Sequence, residues 1–167
     1  KEIEVVISDN ASDDGTSEYL QSLSDPRLIV IRQPQRVSAS ENWNRVTCAA
    51  KGDYVKLLCA DDTISRDCLN NQLDAAQQPD VVLVASRRRI INDSGNTVIK
   101  KHGLFFLSGK LDGKKAVKRC IATGTNQFGE PASVLFERSV LFSCLPWDST
   151  QPYLTDLDMY SRVLLHG

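Results

Sequence analysis

Histidine is scarce: the chain has two, His102 and His166, far apart. Its five cysteines (Cys48, Cys59, Cys68, Cys120, Cys144) are odd in number and form no Cys-x-x-Cys pair. With nitrogen and sulfur ligands so scattered, a zinc site is not expected. The thiols are expected to be reduced and buried, as in a cytosolic protein, rather than bridged. An excess of one charge is missing too. Lys+Arg number 20 and Asp+Glu 21, a formal net charge of -1, so no global field points to nucleic acid. No stretch approaches the length of a membrane span and no signal peptide opens the sequence. The expected location is therefore cytoplasmic. Internal repeats and low-complexity tracts are absent as well.

What is present is enough for a core. The 167 residues are 41% apolar, which fits one domain of ordinary size. The sequence runs almost at once into a strand and stops behind a helical pattern, so it reads as a domain cut from something longer. The organising stretch is Gly52 to Asp62. An apolar run from Tyr54 to Cys59 reads as a buried strand, and it ends in two adjacent carboxylates, Asp61 and Asp62. In open α/β sheets ligands bind beyond the carboxyl ends of strands. Adjacent carboxylates repel unless a cation or hydrogen-bond donors compensate. A hard divalent ion that also touches phosphates would satisfy them, but a turn and helix-cap device uses the same residues.

Around that stretch, strands and helices alternate. Ile3 to Ser8 is a β-branched strand delivering the polar loop Asp9 to Thr16, where Gly15 permits a tight turn and Thr16 can cap a helix reaching Leu23. Leu28–Ile31 is a strand and Glu41–Ala50 a helix, with Trp43 in the core. Ser65 can cap a helix running to about Gln77, ended by Pro79. Asp80–Val84 is a strand. Arg87–Ile91 and Thr97–Lys100 flank the turn Asn92 to Asn96 as a hairpin, with the arginines on a solvated sheet edge. Asp112–Ala122 is a helix with a basic outer face, Ala132–Phe136 a strand, and Leu154–Leu165 a closing helix. The expected class is α/β: a sandwich with a mostly parallel central sheet and a small antiparallel hairpin.

Four blocks in order carry a family resemblance. They are Ser8 to Thr16; Asn42-Trp43-Asn44 with Ala50 to Tyr54 and Ala60-Asp61-Asp62; Gly129 to Phe136; and Thr155 to Arg162. Together they resemble the family 2 glycosyltransferases. The resemblance implies a GT-A fold, a Rossmann-like α/β/α sandwich. It also implies an inverting, hexosyltransferase-type enzyme that uses a nucleotide-diphosphate sugar, with a UDP-sugar favoured, in cell-surface polysaccharide biosynthesis. By the resemblance Asp9, Asn10, Ser12 and Asp61 would contact the nucleotide sugar and Asp62 the metal. Glu130 and Arg162 would lie on the acceptor side, and Asp156 would be the general base. The sequence differs from the family in four places. It starts after the family's first strand, it has Arg66 where a proline commonly opens the helix and Thr155 where Glu is common, and it stops before the C-terminal extension.

The chemistry suits these residue types. Mg²⁺ or Mn²⁺ fits oxygen-only ligands and would neutralise a diphosphate leaving group. A carboxylate such as Asp156 can take a proton from the acceptor hydroxyl, although it also suits a helix start. Arg162, six residues on, can reach a phosphate or fix a neighbouring carboxylate. Glu130 reads equally as a solvated loop residue. The acceptor would be a glycan or a lipid-linked sugar. Lys100-Lys101, Lys110, Lys114, Lys115, Lys118 and Arg119, near Leu104 to Leu107, read as an ordinary solvated surface or as contact with the inner face of a membrane. Two other functions fit parts of the pattern: another metal-dependent phosphate-transfer enzyme, and a non-catalytic nucleotide- or glycan-binding domain.

Overall fold

The computed structural model describes residues 3–151 and 153–166. Its first strand, Val5–Asp9 (β1), pairs in parallel with Leu28–Arg32 (β2), from Val5 opposite Leu28 to Asp9 opposite Arg32. Thr16–Ser22 (α1) connects them. Gly15 holds the N-cap at φ 88°, and the Asp14 carboxylate accepts from the Thr16 amide at 3.1 Å. The cap thus falls one residue before Thr16. Ala39–Ala49 (α2) follows, capped by Ser38, whose hydroxyl accepts from the Glu41 amide at 3.2 Å.

The strand expected through Cys59 is only Tyr54–Val55 (β3). Its partner, Val134–Glu137 (β7), pairs antiparallel, Tyr54 with Glu137 and Val55 with Phe136. In β7 only Glu137 and Phe136 pair with β3, while Leu135 and Val134 pair with β4 alone, and the 3₁₀ turn Pro131–Ser133 precedes them. Leu83–Ala85 (β4) lies on the other side of β7, also antiparallel. The order is β3-β7-β4, with β7 in the middle. In place of the mostly parallel central sheet expected, the described residues form small sheets of two and three strands, the three-stranded one antiparallel. The chain enters β7 from the end at which β3 finishes, so β7 runs opposite to both neighbours. Among the described residues the β1–β2 pair shares no ladder with this sheet.

Arg88–Ile91 (β5) and Thr97–His102 (β6) form the expected hairpin. Asn92 closes it by accepting from the Ser94 and Asn96 amides at 3.2 and 2.9 Å. Four further helices complete the chain described. Cys68–Ala76 (α3) begins three residues after Ser65, whose carbonyl takes the Cys68 amide. Gly113–Thr123 (α4) is capped by Asp112. Arg138–Ser143 (α5) was not legible in the sequence, and Thr155–His166 (α6) closes the chain.

The core gathers on β7 and α6. Phe136, Leu141, Met159, Tyr160 and Val163 are fully buried, each favouring the folded state by about 1.5–3 kcal/mol. Trp43, Trp147, Phe136, Tyr160 and Phe128 form a chain of ring contacts with centroids 5.5–6.0 Å apart. Asn44 clasps the Trp147 backbone from α2, donating to its carbonyl at 3.1 Å and accepting from its amide at 2.7 Å. The Trp147 indole N–H donates to Thr47 at 3.1 Å. The five thiols are free, but only Cys120 and Cys144 are buried as expected; Cys59 and Cys68 are half-buried, and Cys48, on the outer side of α2, is exposed.

Candidate active site

The turn after β3 gathers one cluster. The Asp62 amide donates to the Cys59 carbonyl at 3.1 Å, folding the chain back on itself. As a result Cys59 Sγ and carboxylate oxygens of Asp61 and Asp62 all lie within 4.8 Å of one another. Burial pushes the Asp62 carboxyl up, the charges of Asp61 and Glu130 push it further, and Arg88 and Lys56 oppose them. Burial, and then the charges of Asp62, Asp61 and Glu130, raise the Cys59 thiol to about 11. Like charges crowded in this way are relieved by a divalent cation, so the residues fit one. The candidate ligand atoms there are one sulfur and two carboxylate oxygens.

Asp156 sits in the first turn of α6. Its Oδ1 accepts from the Leu157 amide at 2.7 Å and its Oδ2 from Asn126 Nδ2 at 2.8 Å. Asn126 is itself fixed, accepting from the Phe128 and Gly129 amides at 3.0 and 3.1 Å. Asp156 lines a cavity of about 440 Å³ with Arg88, Asn126, Gly129, Glu130 and Leu157. Burial pushes its carboxyl up against the pull of the Leu157 and Asn126 donors, and the Glu130 charge adds to the rise.

Arg88 is the residue that sequence reading placed wrongly. Arg87 and Arg89 are exposed, but the Arg88 side chain is 19% exposed and pairs with the Glu130 carboxylate. Strand alternation sends it inward. Two glycines at positive φ, Gly103 (81°) and Gly129 (91°), make the slot: a β-carbon on either would collide with the guanidinium. Beneath lies Tyr160, one helical turn beyond Asp156. Its hydroxyl is buried without a hydrogen-bond partner, and burial and the charges of Asp156, Glu130 and Cys59 push it up. The Glu130 charge acts on Cys59, Asp62, Asp156 and Tyr160 alike, so the paired aspartates and Asp156 share one neighbourhood.

Asp9, Asn10 and Ser12 form a separate arrangement. Asp9 is 4% exposed and accepts from the Ser12 amide at 3.0 Å. Hydrogen bonding from Ser12 pulls its carboxyl below the usual range, with Arg32 adding to the pull. Its Oδ2 has no hydrogen-bond partner. Asn10 staples this loop to the next, exchanging hydrogen bonds of 2.9 Å with the Val37 carbonyl and amide. Arg162 stands outside the cavity lining. It donates to Asp158 at 2.9 and 2.7 Å, and to the carbonyls of Cys144 and Pro146. The fixing of a neighbouring carboxylate, one of the contacts expected of it, is present. Six residues along a helix turn a side chain well away from Asp156.

Comparison with known proteins adds two findings. The family model described as "Glycosyl transferase family 2" matches residues 1–141. An uncharacterized protein, MT1568, from Mycobacterium tuberculosis (strain CDC 1551 / Oshkosh) is 23% identical over 172 residues, which cover 99% of this chain and 54% of that protein. The chain thus spans about half the length of this curated relative.

Proposed function

Since the chain belongs to glycosyl transferase family 2, we propose that it moves a sugar from a nucleotide-diphosphate donor to an acceptor hydroxyl with inversion, Asp156 acting as general base. The observation that carries this reading is Asp156 itself, held by Asn126 and the Leu157 amide at the wall of a cavity that also holds Glu130 and Arg88. Two hydrogen bonds fix its orientation while burial raises its affinity for a proton, which suits a base.

In the transfer, the acceptor oxygen attacks the anomeric carbon as the bond to the diphosphate breaks, and its proton passes to Asp156. Charge grows on the ring carbon and on the leaving oxygen. The carboxylate of Asp156, and of Glu130 beside it, stabilises the positive end of that polarisation. Arg88 keeps Glu130 oriented from its glycine slot. Asp61, Asp62 and the Cys59 thiol would hold a divalent cation, which when bound neutralises diphosphate oxygens. Asp9, whose Oδ2 accepts no hydrogen bond and lies 3.9 Å from the Arg32 guanidinium, is proposed to meet the nucleotide base, and Asn10 and Ser12 shape its loop.

The test is Asp156→Asn. UDP-sugar binding followed by calorimetry stays within about threefold, because a shape-conserving change removes little uniform binding. Transfer is lost. Full turnover by the variant would exclude the base assignment.

A further inference from the structure

Helix α4 carries no acidic residue from Gly113 to Thr123. Ala116, Val117 and Cys120 are buried, and Lys114, Lys115 and Lys118 form an exposed crest on the opposite side. None of these three lysines has an acidic partner among the described residues. Lys110, by contrast, is engaged by the Pro79 carbonyl and by Asp80.

Apolar side chains stand on both flanks of the crest. On one flank Phe106 is 90% exposed, with the Arg119 guanidinium 5.3 Å from its ring centroid, and Phe105 beside it is also exposed. On the other, Ile121 is 75% exposed. Helical spacing puts Ile121 in a row with Lys114 and Lys118 and puts Arg119 in a row with Lys115, so the two apolar groups face away on opposite sides. The turn bearing the phenylalanines has an unusual backbone. Leu104 and Phe106 have φ of 52° and 60°, a left-handed conformation uncommon for such residues. Leu104 packs toward the core while Phe106 points outward.

Unpaired cations between exposed aromatic and aliphatic side chains match the chemistry of an anionic bilayer surface, where rings enter the headgroup layer and ammonium groups meet phosphates. A solvated helix face needs the lysines but gives no use to Phe105, Phe106 and Ile121. We propose that α4 and the Phe105–Phe106 turn form a docking surface for an anionic phospholipid bilayer. Ile121 also lines the cavity holding Asp156, with Tyr153 and Leu154, both exposed, so docking turns that cavity toward the lipid headgroups. The docking rests on no step of sugar transfer. Its bearing on a lipid-linked acceptor rests on the proposed transferase reading.

The experiment is co-sedimentation of the chain with phosphatidylcholine vesicles with and without phosphatidylglycerol, at low and high salt, with no donor or acceptor present. Binding is expected on the anionic vesicles only, and it weakens as salt screens the charges. The triple variant K114Q/K115Q/K118Q should bind roughly a hundredfold more weakly, at about fivefold per cation. Phe106→Ser should cost about tenfold or more. Both changes are on exposed positions, so thermal melts should match the parent and make the losses interpretable. No binding to anionic vesicles, equal binding to neutral ones, or binding indifferent to both variants would overturn the proposal. So would self-association, seen by sedimentation velocity, that disappears with Phe106→Ser, because it would assign the patch to a second copy of the chain.

Discussion

Replacing Asn126 with alanine separates the chemistry of the site from its scaffolding. The amide nitrogen that donates to Asp156 Oδ2 at 2.8 Å would be lost, together with its 3.0 Å bond to the Gly129 carbonyl. Two backbone amides, of Phe128 and Gly129, would lose their acceptor. A hydrogen bond to a charged group contributes about 1.5–3 kcal/mol. All of it favours the ionised carboxylate, so the Asp156 proton becomes harder to remove, adding to the rise that burial already causes. The sign is fixed: only the deprotonated form is a base, so activity falls as pH drops, and the variant loses it at a higher pH. On that acidic limb kcat/KM should fall about ten- to a hundredfold, and on the plateau little. Stability should drop by about 1–3 kcal/mol from the remaining bonds. The assay is a pH–rate profile with a UDP-sugar donor, with urea unfolding in parallel. A stable, folded variant whose acidic limb coincides with the parent's would refute the claim that Asp156 is the titrating base.

Gly129→Ala should lower unfolding stability by about 2–4 kcal/mol. The residue stands at φ 91°, and a β-carbon there falls 2.7 Å from Arg88 Cζ; a change below about 0.5 kcal/mol in urea titration would argue against the slot. Asp62→Ala should abolish the rise in melting temperature that UDP and Mn²⁺ together give the parent, since stabilisation needs a ligand that prefers the folded chain. An unaltered rise would remove Asp62 from the metal. Asp9 has a carboxyl held below its ordinary 3.8 in the folded chain. Its stabilising effect is therefore present above that value and is lost as pH falls through the depressed one. Asp9→Asn should flatten the acid side of a stability–pH curve, and an equally steep loss in the variant would contradict this.

The elements with strong local signals were legible. The β1 run, the Asn92–Asn96 hairpin turn and the α4 and α6 patterns follow from residue type and spacing. The length of β3 did not, because a ladder depends on a distant partner, and only Glu137 and Phe136 of β7 pair with it while Leu135 and Val134 pair with β4 alone. Helix α5, six residues long, is too short to show a period. At the site, Asp61, Asp62, Glu130 and Asp156 declared themselves as carboxylates after strands or at helix starts. Arg88, Asn126 and Cys59 did not, because their roles come from folding: a slot between two glycines far along the chain, a bond spanning 30 residues, and a turn that brings a thiol to two acids. Alternation within β5 was the available signal for Arg88, since the middle of three arginines must face the other way.

The grip of Asn44 on Trp147 joins positions 103 residues apart through a single amide side chain. Bringing such distant segments together costs loop entropy whichever bonds later hold them. Other fastenings from the first fifty residues gather on α2 and its end: the Trp43 ring against Trp147, the Thr47 hydroxyl taking the Trp147 indole N–H, and Val46 and Ala50 against the core, with Glu4 taking the Lys51 and Gly52 amides just ahead of β3. With α2 held there, the β1–α1–β2 unit, which among the described residues shares no ladder with the later sheet, is the less anchored part of the chain. Amide exchange should report it opening before the interior around Phe136 gives way.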